Sequence, residues 1–304
     1  RSIARGSLRP RRRKPTRVVG KSHPGHKKPK NRLYLRNMKI LTFNIWDTPL
    51  VSVKRKQRIA RLGAYIKKHD PDIVCLQESF DTKHREIVHE AIGKEYYTSD
   101  KNDLMRKALL FFRMDKTGGL VIFSKFPIKQ SKFCPFRKLI LMSPPEWIGR
   151  KGFLETEIKT PKGPALIITT HLYSVQSNHA ETMRTTQIKQ IMKRTKEKRK
   201  RMMTFLTGDL NQNKIMEVEP FGDIFKKEGF RDSTELTGKC AMPSYRPENP
   251  FTQARFNNGT DSERLDYILL SGLEKLGLQA TQNDVLEQPY IPLSDHDPVM
   301  VTLE

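Results

Sequence analysis

From Met38 onward, short apolar runs alternate with stretches of helical periodicity. The run KILTFNI (residues 39–45) reads as a strand, Ile59, Leu62 and Ile66 recur at helical spacing, and DIVCLQE (72–78) reads as a second strand. Ile87, Val88 and Ile92 predict a second helix, and Gly118-Gly119 introduce the apolar LVIFS (120–124). GFLETEI and ALIITT flank the turn-like TPKGP (160–164), which predicts a hairpin. MMTFLTGD (202–209), LDYILL (265–270) and PVMVTLE (298–304) supply further strands. Hairpins mixed with helices predict two sheets packed together with helices outside, rather than a doubly wound parallel sheet. There is no internal repeat.

Composition sets the outer bounds. A chain of 304 residues that is 36% hydrophobic can bury one substantial core or two smaller ones, and no apolar stretch reaches the roughly 20 residues needed to span a bilayer. Three cysteines (Cys75, Cys134, Cys240) without a C-x-x-C pair argue against a disulfide scaffold and a structural zinc site, and their odd number leaves at least one free thiol. The chain begins at Arg1 with no signal peptide, so a leader was removed or never existed. Localisation stays open, a secreted or membrane-peripheral setting being slightly favoured, and the sequon Asn258-Gly259-Thr260 is too common a tripeptide to settle it.

The net charge of +24 is unevenly spread. Residues 1–36 hold 14 lysines and arginines and no acid, leaving +10 for the rest. Rich in proline and glycine, residues 1–37 are expected to form a disordered basic tail attracted to polyanions, whether nucleic acid or anionic lipid, ahead of a catalytic domain over 38–304. A second basic run, KRTKEKRKR (193–201), continues a segment with Ile188, Ile191 and Met192 on one helical face, and is expected to be that helix's solvated side.

The informative regularity lies where the strands end. Asn44, Glu78, His171, Asp209 with Asn211, and Asp295-His296 each stand at the edge of an apolar run. Singly, each has a plain reading: a turn former, a helix-capping acid, a core histidine, an Asx turn. Together, strand ends on one sheet edge can gather such groups into one site. Oxygen donors without thiolates point to a hard cation, Mg²⁺ before Zn²⁺, and a hard cation beside histidines, asparagines and aspartates suits phosphoester hydrolysis. Asp266, second in the run LDYILL, needs a partner if buried, and His296 is the expected one: a hydrogen bond to one ring nitrogen would fix the tautomer and make the other more basic.

The motifs LTFNIW, CLQE, TTHLYS, TGDLNQN, RLDYILL and LSDHDPV, in this order over residues 38–304, resemble the metal-dependent endonuclease/exonuclease/phosphatase superfamily. The resemblance implies a four-layer α/β sandwich, two central mixed sheets flanked by helices. It also implies that Glu78 binds Mg²⁺ with Asn44 nearby, that His171 and Asn211 contact the scissile phosphate, and that Asp209 orients the nucleophile. Asp295 would support the metal or the histidine, and His296 paired with Asp266 would be the general base. LQESFD, GGLVIFSKFPI, KGFLETEI and ETMRTTQIKQI are similar to neutral sphingomyelinases, which cleave sphingomyelin into ceramide and phosphocholine. Leu265-Asp266-Tyr267 departs from the Cys-Asp-Arg of inositol polyphosphate phosphatases, and Ser79-Phe80-Asp81 from AP-endonucleases. Secreted bacterial sphingomyelinases carry an aromatic hairpin before the Ser-Asp-His triplet, whereas this chain has only EQPYIPL (287–293); Trp147 and Tyr290 are the apolar residues left to meet a bilayer. The expected partner is therefore a phospholipid membrane, with a nuclease of the same fold acting on nucleic acid as the alternative. No obligate protein partner is inferred and a monomer is expected.

Overall fold

The computed structural model describes residues 37–100, 105–108, 112–137, 149–255 and 261–304. The basic tail, Trp147 and the sequon fall outside these residues. In chain order the strands are β1 (Met38–Asn44), β2 (Ile73–Gln77), β3 (Tyr97–Thr98), β4 (Met105–Ala108), β5 (Phe112–Asp115), β6 (Val121–Ser124) and β7 (Ile128–Pro135). They continue with β8 (Gly152–Thr160), β9 (Gly163–His171), β10 (Met203–Asp209), β11 (Arg231–Asp232), β12 (Asp266–Ser271), β13 (Ala280–Val285) and β14 (Val299–Leu303). The longer helices are α1 (Arg55–His69), α2 (Thr82–Ile92) and α3 (Ala180–Arg201), followed by the short α4 (Phe221–Lys227), α5 (Ser233–Thr237) and α6 (Pro250–Arg255).

Two six-stranded sheets result, ordered β13-β14-β1-β2-β6-β3 and β11-β12-β10-β9-β8-β7, with β4 and β5 as a separate ribbon. Both are mixed: β1 runs parallel to β2 and antiparallel to β14, and β10 runs parallel to β9 and antiparallel to β12. Period-two alternation sorts each strand's side chains between layers. Ile40, Ile73, Cys75 and Ile122 of the first sheet meet Leu154, Ile167, Phe205 and Ile268 of the second in the central core. On the outer faces, Leu41, Phe43 and Val74 pack on Ile59, Leu62 and Ile66 of α1, while Leu166, Ile168 and Leu206 pack on Ile188, Ile191 and Met192 of α3. This is the four-layer sandwich with two central mixed sheets.

The TPKGP turn closes the β8–β9 hairpin, Thr160 pairing with Gly163. Three expectations need correction. Ile87 does not share the buried face of α2: Val88 and Ile92 are buried, but Ile87, one residue and about 100° earlier around the helix, is exposed. The basic run is not simply a solvated face. Lys193, Lys196 and Lys200 are exposed, yet Thr195 and Arg199 are buried, and Lys198 Nζ lies 3.2 Å from Glu155 Oε1 and 2.9 Å from Glu157 Oε1. The apolar runs also miss β7 and β13, whose sequences IKQSKFCP and ATQNDV are polar because edge strands need only one buried face. All three cysteines are free, and Cys75 and Cys134 are buried. No helix among the described residues is long and apolar enough to cross a membrane.

Candidate active site

Strand register alone brings most of the strand-end groups together. Asp209, the last residue of β10, lies opposite His171 of β9 on one side and Asp266 of β12 on the other. In the facing sheet Asn44 ends β1 beside Gln77, one residue before Glu78. Glu78 and Asn211 both sit in the left-handed region, at φ 53° and 51°, a conformation costing about 1–3 kcal/mol where the surroundings must hold it. Two strained residues at the ends of facing strands mark this edge as the site.

The Asn44 amide joins the two sheets. Its Nδ2 donates to Glu78 Oε1 at 3.1 Å and to Asp209 Oδ2 at 3.0 Å, while its Oδ1 accepts from the Trp46 N–H at 3.0 Å. Glu78 Oε2 accepts from Thr48 Oγ1 at 2.5 Å. His171 spans the same pair of acids, with Nδ1 4.0 Å from Glu78 Oε1 and Nε2 3.4 Å from Asp209 Oδ2. Asp209 Oδ1 accepts from the Asn211 N–H at 2.9 Å, so the Asx turn is real and is part of the site. The Asn211 side chain donates to the Leu172 carbonyl at 3.2 Å.

His296 approaches from the loop preceding β14. Its Nδ1 lies 2.7 Å from Asp266 Oδ2, and its Nε2 faces Asp209 Oδ2 at 3.7 Å. Asp266 is fully buried; Oδ2 also accepts from Ser244 Oγ at 2.7 Å, whereas Oδ1 has no hydrogen-bond partner. Two carboxylates around one imidazole overcome the desolvation that opposes its charge and push its pKa up to about 10. Asp209 is pushed up to about 6, chiefly by burial and further by the Asp266 charge, against the pull of His296. Asp295, buried next in sequence, accepts from Ser294 Oγ at 3.2 Å, and its charge acts on both His296 and Arg58.

Several contributors carry no signal in the sequence. Ser244 receives the Leu265 and Asp266 N–H groups on its hydroxyl while donating to Asp266, which fixes that carboxylate's orientation. Gln288 braces the Ser294-Asp295-His296 turn, donating to the Ser294 and His296 carbonyls and accepting from the Leu293 and Ser294 N–H groups. Arg58 is buried and donates to the carbonyls of Ile45, Trp46, Val53 and Leu293, tying the loop after Asn44 to the loop before His296. Lys151 donates to the Leu172 carbonyl at 2.6 Å and draws the Asp209 pKa downward.

Two groupings compete for a cation. Asp209, Asp266 and His296 offer ligand atoms within 4.8 Å of one another, but His296 Nδ1 and Asp266 Oδ2 already share a hydrogen bond. That leaves a proton-handling pair rather than a cage. Glu78 and Asp209, converging on one amide nitrogen, are buried acids with only oxygen to offer. A hard divalent cation fits between these two acids.

A four-layer sandwich with acids, amides and histidines gathered at one edge suits phosphoester hydrolysis. Residues 41–296 match the Endonuclease/Exonuclease/phosphatase family, and the chain belongs to it. Among its relatives, Bacillus cereus Sphingomyelinase C is 29% identical over 307 residues, covering 88% of each chain. The Inositol phosphosphingolipids phospholipase C of Schizosaccharomyces pombe is 28% identical over 153 residues, 48% of this chain and only 33% of that protein. The chain therefore spans a third of one relative and most of the other. In structure it resembles a mutant form of Staphylococcus aureus beta toxin with bound magnesium ions, with a TM-score of 0.69 at 22% identity over 88% of this chain and 99% of that one. Family and relatives indicate a phosphodiester hydrolase.

Proposed function

We propose that the protein is an Mg²⁺-dependent phosphodiesterase that cleaves sphingomyelin, or a phospholipid built like it, to ceramide and phosphocholine. The observation carrying this reading is the placement of Asp209 between His171 and the His296–Asp266 pair, one strand pairing away on either side. The names of the relatives supply the substrate class.

In this reading Glu78 with Asn44 holds Mg²⁺, and Asp295 supports that side of the site. When bound, the cation supplies positive charge against the phosphoryl oxygens. His171 and Asn211 contact the scissile phosphate, donating to its non-bridging oxygens. Asp209 orients the attacking water, and Nε2 of His296 takes its proton as the oxygen joins phosphorus and the ceramide oxygen leaves, taking up a proton from solvent to give the ceramide hydroxyl. Asp266 keeps Nδ1 protonated and the ring turned toward the water. With Asp266 and Asp209 charged beside it, His296 holds its proton; positive charge brought next to Asp209 favours the free ring that a base requires.

A turnover assay offering sphingomyelin vesicles, plasmid DNA and abasic DNA in parallel tests the assignment. Phosphocholine release with both DNAs left intact is the expected result. Cleavage of either DNA with the lipid untouched would replace it with the nuclease reading, to which the charge of +24 would then belong.

A further inference from the structure

The end of the sandwich opposite the active site is densely cationic. β1 and β10 each cross from that end to the site in seven residues, so at about 3.3 Å per residue the two ends lie about 20 Å apart. Exposed lysine pairs stand at the far end on three elements: Lys67 and Lys68 in the last turn of α1, Lys159 and Lys162 at the β8–β9 turn, and Lys226 and Lys227 in the last turn of α4. These elements adjoin one another. Lys39 Nζ at the start of β1 reaches the His69 carbonyl at 3.5 Å, Lys275 Nζ donates to the Arg199 carbonyl at 2.6 Å, and Arg199 in turn bonds Glu228, which follows α4. Leu276, beside Lys275, closes on Gly163 of the hairpin turn, where a Cβ would stand 2.7 Å from it.

Acids at this end are taken up by other cations: Asp70 by Lys125 at 2.6 Å, Glu228 by Arg199 at 2.6 Å and Glu157 by Lys198 at 2.9 Å. None of the six lysines is in an ion pair among the described residues, and the exposed Glu274 and Glu304 leave them in excess. The helix macrodipole accounts for lysines in the last turns of α1 and α4. It gives no reason for Lys159 and Lys162 on a hairpin. Residues 1–36, with 14 lysines and arginines, join the domain at this same end through Asn37, whose side chain donates to Glu304 at 2.7 Å. Like charges gathered in this way repel one another, and a polyanion relieves the repulsion.

A bilayer held at this pole would leave the site facing away from it, and α1, α3, α4 and the β8–β9 turn carry none of the large apolar side chains exposed among the described residues. A purely cationic surface suits phosphates instead. The lysines of α1 and α4 belong to the two outer layers, about 30 Å apart at layer spacings of about 10 Å, close to the ~34 Å of one duplex turn. We propose that the pole binds a nucleic-acid duplex through its phosphates, without reading sequence, while the catalytic edge stays open to its own substrate. No residue of the site takes part, so the proposal does not rest on the lipid reading.

Fluorescence anisotropy of a short labelled DNA duplex of mixed sequence, titrated with the full-length protein over a series of salt concentrations, reads this binding directly. The wild type is expected to bind with a steep salt dependence. Lys67→Gln/Lys68→Gln, Lys159→Gln/Lys162→Gln and Lys226→Gln/Lys227→Gln should each bind about tenfold more weakly, with a log–log salt slope shallower by about 2, roughly one for each lysine taken from a phosphate, at a melting temperature close to that of the wild type. Lys56→Gln/Lys83→Gln is the control: both residues are exposed in first helical turns at the catalytic end, and the variant should bind within about twofold of the wild type. Absence of binding would overturn the pole, as would pole variants that bind like the wild type, which would put the duplex on the tail or at the catalytic edge, or a control that loses as much as they do. The pole variants are also tested on phosphatidylserine vesicles free of sphingomyelin. A loss of vesicle affinity larger than the loss for the duplex would make the surface a membrane contact and overturn the nucleic-acid assignment.

Discussion

His296→Ala should lower kcat by about 10²–10⁴-fold, the usual worth of a positioned general base, while the protein remains folded and still binds vesicles. Asp266→Asn should also lower kcat strongly and leave KM much less affected. The reason is geometric. Asp266 touches the proton-transfer machinery through His296 Nδ1, at 2.7 Å, and an amide in its place can present its NH₂ to that nitrogen and stabilise the wrong tautomer. Both residues serve one proton transfer, so the double variant should lose little more than His296→Ala alone. A double loss equal to the product of the single losses would show that Asp266 acts only by packing beneath the strand.

Chelation should abolish turnover and added Mg²⁺ restore it, with Glu78→Gln raising the Mg²⁺ concentration required. Glu78 is buried with one oxygen on Asn44 and the other on Thr48, and glutamine keeps the shape but removes the charge. A second readout is independent of turnover. In metal-free protein the His296 ring should titrate near 10, far above the ordinary 6.5, because Asp266 and Asp209 favour the imidazolium. Mg²⁺ beside Glu78 and Asp209 should lower that value, and NMR titration of the imidazole resolves the change. Full activity in excess chelator, or a His296 titration indifferent to Mg²⁺, would contradict a cation at this position.

The division between what the chain discloses and what it hides follows from burial and from distance along the sequence. β1, β2, β10 and β14 are buried along nearly all their length, so their apolar runs show plainly, and so do the polar residues at which those runs stop. That is why Asn44, Glu78, His171, Asp209 and His296 could be read together as one edge. β7 and β13 face solvent on one side, and their alternation is too polar to distinguish from a loop. The residues that hold the site in place are harder still. Arg58 bonds a carbonyl 235 positions away, and Ser244 reaches Asp266 across 22. Neither Arg58 nor Ser244 is marked by any local pattern, because a buried guanidinium on backbone carbonyls or a serine under a carboxylate becomes legible only once the loops are folded over one another.

The most direct test of the chemistry follows the oxygen of the attacking water. With sphingomyelin vesicles, Mg²⁺ and water enriched in ¹⁸O, hydrolysis begun by His296 deprotonating water at phosphorus must place the label in the phosphoryl group of phosphocholine and leave the ceramide hydroxyl unlabelled. Label in ceramide would put the attack on carbon, and unlabelled phosphocholine would mean that a protein group or another alcohol, not water, reaches the phosphorus; either result contradicts the assignment of His296 and Asp266.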